Sequence, residues 1–113
     1  MSTSFSTDEI DRDYLNISGA STTRSKTFTV NGWNQKMILI KADQQVVLTI
    51  MYTLITQIAP QDSYFFPLST AKNVTLLANE IIPFGVEDPI QFLQVEVTTT
   101  GPAVVEILAL GSR

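Results

Sequence analysis

The sequence predicts an all-β protein. It reads as a single sandwich of about seven or eight antiparallel strands, jelly-roll or Greek-key in type, with an extended N-terminal arm. Three observations lead there. The longest apolar run, Asp43 to Ala59, alternates with a period of two. Turn signals recur along the chain at intervals of roughly ten residues. No stretch carries a strong helical pattern.

The central run places Val46, Leu48, Ile50, Tyr52, Leu54 and Ile58 on one face. Val47, Thr49, Met51, Thr53, Ile55 and Gln57 fall on the other. Threonines and β-branched aliphatics crowd this run, and branched side chains pack well on a pleated surface. It is therefore expected to be a long central strand, bent once, or two strands joined without a wide loop.

Residues 1–25 have a different character. Ten are Ser or Thr and four are acidic. This composition is too polar to fold alone. Ser6-Thr7-Asp8-Glu9 has the form of a capping box, which permits a short helix through Tyr14. The alternatives are a disordered tail and an arm that orders on a partner, with Phe5, Ile10, Tyr14, Leu15 and Ile17 as its contacts. The domain boundaries expected are 1–25 for the arm and 26–113 for the sandwich.

Within the sandwich, Thr27 to Val30 alternates and meets the turn dipeptide Asn31-Gly32. Lys36 to Ala42 is a short strand with lysine near each end. Pro60 to Ser63 is turn chemistry, followed by the aromatic segment Tyr64-Phe65-Phe66-Pro67. Val74 to Ala78 and Asn79 to Phe84 are short strands, and Pro83 marks an edge or a bulge in the second. Ile90 to Thr100 and Ala103 to Leu110 alternate on either side of Thr100-Gly101-Pro102 and read as a hairpin.

Composition narrows the function. The chain is 113 residues long, 44% hydrophobic and only 16% charged, where about a quarter is usual. That shortage of charge points to a surface meant for association. The net charge is −4 and there is no basic run, so nucleic-acid binding is not expected. There is no cysteine and no histidine, which removes thiolate metal sites and the commonest general base. The opening residues lack a basic start with an apolar core, so no secretory signal is expected, and no run suits a membrane helix.

Glu80, Glu87 and Asp88 flank a loop, and Asp43, Asp62, Glu87 and Asp88 are the acidic residues from which a calcium site would be built. Neither set has the spacing of a catalytic or metal motif. The expectation is no enzyme, no cofactor and no metal. The apolar residues on the mixed strand faces, Met51, Ile55, Ile90, Phe92, Leu108 and Leu110, are the candidate interface. Trp33, beside the Asn31-Gly32 turn, is the candidate contact for an alternative ligand such as a carbohydrate.

Two stretches carry a resemblance. Ile40 to Ile50, IKADQQVVLTI, resembles the start of a long sandwich strand. Phe92 to Ala103, FLQVEVTTTGPA, resembles a penultimate hairpin. Both are similar to small β-sandwich proteins of tailed-bacteriophage virions, over the domain from Thr27 to Leu110. The Ser/Thr-rich arm is similar to that of capsid decoration, or cement, proteins. The resemblance implies a non-enzymatic virion protein made in the host cytoplasm and placed on the capsid surface. It would stabilise the shell by bridging major capsid subunits and would be a homo-oligomer, dimer or trimer, without nucleic acid or membrane as partner. The alternative it allows is a carbohydrate- or cell-surface-binding module of a phage tail or an enzyme.

Overall fold

Alternating side chains become strands because one face of each can be buried against a second sheet. The computed structural model describes residues 9–30, 33–53, 64–86 and 90–112. These residues form ten strands: β1 (Glu9–Ile17), β2 (Ser21–Arg24), β3 (Phe28–Thr29), β4 (Gln35–Ala42), β5 (Val46–Thr53), β6 (Phe66–Pro67), β7 (Val74–Leu76), β8 (Ile81–Val86), β9 (Phe92–Thr99) and β10 (Ala103–Ser112). A single 3-10 turn, Ser69–Ala71, lies between β6 and β7.

All pairings are antiparallel and fall into two sheets. The first sheet has the order β1-β10-β4-β8. In the second, β9 and β5 are central. β2 and β3 both pair with β9, opposite Glu96–Thr99 and Phe92–Leu93 respectively. β7 and β6 both pair with β5, opposite Val46–Leu48 and Met51–Tyr52. Each of these short pairs is one interrupted stave, so the sandwich has eight staves, four to a sheet. Successive staves alternate sheets except at β5 to β6, which gives the jelly-roll pattern.

The core lies between the sheets. Leu48, Ile50, Val95 and Val97 come from the second sheet, and Ile38, Ile40, Val105 and Ile107 from the first. Phe28 and Val30 close one end, fully buried. The face of β5 expected to be apolar is the one that faces inward, and Tyr52 packs half-buried on the core's edge.

Three expectations are corrected here. The hairpin expected of the last two strands is not a ladder: β9 lies in the second sheet and β10 in the first. The Gly101-Pro102 turn carries the chain across the sandwich. No helix forms between Glu9 and Tyr14, because β1 pairs with β10 over nine residues, from Glu9↔Gly111 to Ile17↔Ala103. Burial against the core outweighs a local capping signal. For the same reason residue 26 is not a structural boundary, since β1 and β2 are staves of the sandwich. Of the arm contacts, Ile17 is buried in the core and Leu15 packs against it.

Candidate association surface

The two outer faces of the sandwich differ in chemistry. On the second sheet, polar side chains satisfy one another across strands. The hydroxyls of Thr22 and Thr98 lie 3.2 Å apart. Arg24 Nε donates to Glu96 at 3.1 Å, and its Nη1 donates to Gln94 Oε1 at 3.2 Å. The Asn73 amide donates to Thr49 Oγ1 at 2.9 Å. Where this face turns apolar, Met51 and Phe92 are buried with Phe65 in a small cluster of their own.

The outer face of the first sheet is built in rows set by the register. One row is Ile10, Leu110, Met37 and Gly85. The next is Arg12, Leu108, Leu39 and Pro83. The third is Tyr14, Glu106, Lys41 and Ile81. Ile10, Tyr14 and Ile81 protrude, with 58%, 61% and 58% of their surface exposed. Between them runs a shallow groove of about 640 Å³, lined by Arg12, Tyr14, Leu39, Lys41, Ile81, Glu106 and Leu108. Lys41 and Glu106 stand on neighbouring strands without an ion pair between them. A largely apolar sheet face carrying a few charges is the chemistry of a candidate association surface.

The edges of this sheet are closed to added strands. On β1, the amides of Arg12 and Tyr14 each donate to the carboxylate of the preceding aspartate, Asp11 and Asp13, both at 2.8 Å. Asp13 also accepts from the Lys26 amide, and Asp11 pairs with the Lys26 ammonium, which ties the edge to the opposite sheet. On β8, Pro83 has no amide to offer. Both are devices that discourage edge-to-edge pairing. The broad face, not the edge, is the part of this sheet open to a partner.

The structure sorts the residues singled out from the sequence. Ile10 and Tyr14 share the outer face of the first sheet with Leu108 and Leu110. Met51, Ile90 and Phe92 are not surface contacts, because all three are buried within the chain. Phe65 covers Met51 and Phe92, and Ile90 joins the main core. Phe5 and Ile55 lie outside the described residues. Trp33 is no exposed ligand platform. It is 8% exposed and lies over Gly111, where an added Cβ would overlap its ring.

Met37, Leu39, Ile81 and Pro83 complete the face and were missed in the sequence. Their signal was present in KMILIKA, where both alternating faces are apolar, Met37 and Leu39 against Ile38 and Ile40. Of the acidic residues weighed for a metal, Asp43 instead extends the β4–β10 ladder: its carboxylate accepts from the Val104 amide at 2.8 Å and its own amide donates to the Val104 carbonyl. Glu80 is exposed in the turn before β8. Asp62, Glu87 and Asp88 lie outside the described residues. A comparison with models of known protein families and a comparison with curated proteins each find no match.

Proposed function

We propose that this chain is a non-enzymatic structural protein of a virion, a capsid decoration protein that stabilises the shell by bridging its major subunits, and that it does so as a homo-oligomer. The observation that carries the association role is the apolar outer face of the β1-β10-β4-β8 sheet, set against the polar, cross-linked outer face of the other sheet. The virion setting is supported by the resemblance of Ile40 to Ile50 and Phe92 to Ala103 to small sandwich proteins of tailed-phage virions. Jelly rolls serve capsids and lectins alike, so the fold by itself is neutral between this reading and a carbohydrate-binding module.

The mechanism is mechanical. Each copy contributes a small contact, and copies linked to one another turn weak contacts into avidity. Of the arm contacts expected from the sequence, Ile10 and Tyr14 are exposed on the first sheet, and Phe5 precedes β1. The test is to add purified chain to particles made without it and to follow shell rupture on heating. Saturable binding with a higher rupture temperature is expected. Particles that neither bind the chain nor gain heat resistance would exclude the role. The carbohydrate reading predicts glycan binding in place of particle binding, by residues other than the buried Trp33.

A further inference from the structure

We infer that the outer face of the β1-β10-β4-β8 sheet is the contact with a second copy of this chain, packed face to face about a two-fold axis that runs parallel to the strands between β10 and β4. This rests on the homo-oligomer in the proposed reading and names its surface and symmetry.

Charge placement selects the occupant and the axis. A two-fold axis along the strands keeps each row opposite the same row and exchanges β10 with β4 and β1 with β8. Each Glu106 then meets the second copy's Lys41, twice over. Leu108 meets Leu39, Leu110 meets Met37, and Arg12, the third charge of the face, meets Pro83 at the outer edge of the contact. Ile10, which protrudes, meets Gly85, over which there is open space. A two-fold axis across the strands would instead set Glu106 against Leu110 and Lys41 against Met37, leaving both charges facing apolar surface.

The face has the dimensions of a modest dimer. Four strands about 4.8 Å apart and roughly seven residues of about 3.3 Å give about 450 Å² in plan. A symmetric pair thus covers on the order of 1,000 Å², the lower end of specific interfaces. A dimer that dissociates on dilution is expected. The closed edges of the sheet leave face packing as its route to pairing.

The test is a charge exchange read by sedimentation velocity. Lys41 and Glu106 are both exposed, so their variants are expected to fold, with circular dichroism as the check. The unmodified chain is expected to show a concentration-dependent dimer. Lys41→Glu alone and Glu106→Lys alone are each expected to weaken it at least tenfold. An equimolar mixture of the two variants is expected to restore the dimer, because Glu106 then meets Lys41 and the two new charges meet each other. An unmodified chain that stays monomeric overturns the inference, as does a dimer indifferent to both variants, or a mixture that does not recover. A monomer that still binds virions through this face assigns it to the shell, which overturns the dimer and leaves the capsid-decoration role standing without the homo-oligomer. A dimer absent from virions does the reverse.

Discussion

Gly111 and Trp33 show how closely single residues are fitted. The indole occupies the space a side chain at 111 would need, and the backbone ties the two segments together, Asn34 N–H donating to the Ser112 carbonyl at 2.7 Å. Gly111→Ala is therefore expected to destabilise the sandwich by about 1–3 kcal/mol through overpacking. Trp33→Ala is expected to cost about 3–5 kcal/mol through the cavity it leaves. Thermal unfolding of each variant checks both; a Gly111→Ala midpoint equal to that of the unmodified chain would refute the packing. Asp43→Ala removes the acceptor for the Val104 amide at an exposed position, so a loss of only about 1 kcal/mol is expected. At this scale the sequence was a partial guide. A tryptophan beside a turn dipeptide looks available to a ligand, and nothing local reveals that a glycine 78 residues later makes room for it.

Strands were more legible than their partners. β5, β9 and β10 were read from their period of two, because an alternating pattern reports burial of one face whatever lies beyond it, and β4 from a short apolar run with lysine near each end. The pairing was not readable, because a turn signal says that the chain reverses and not whether it stays in its sheet. β1 escaped notice for a different reason. Asp11 and Asp13 occupy positions that face inward, yet they lie at an edge, where their carboxylates serve edge amides and Lys26. Deleting residues 1–25 would strip β1 from β10 and is expected to unfold or aggregate the chain, which circular dichroism and the melting midpoint would show. The same logic makes Asp11→Ala/Asp13→Ala a test of edge protection. It should raise light scattering on prolonged incubation, and a variant as clear as the unmodified chain would show that the aspartates do not guard the edge.

On the scale of the whole molecule, the sandwich is asymmetric in what it shows to its surroundings. One outer face is polar and internally bonded; the other presents Ile10, Leu110, Met37, Leu108, Leu39 and Ile81 around Glu106 and Lys41. Leu108 and Leu110, read from alternation, lie on this face, and Ile10 and Tyr14, read as contacts of an arm, lie on it as part of β1. Met51 and Phe92 show the same alternation and were misplaced, since a period of two cannot tell a face covered by Phe65 from a face left open. We propose that this open face drives association. The most direct measurement is sedimentation velocity across a dilution series, on the unmodified chain beside Leu39→Glu/Leu108→Glu. The unmodified chain is expected to be a dimer that the double substitution reduces to a folded monomer. Identical sedimentation of the two proteins would contradict it.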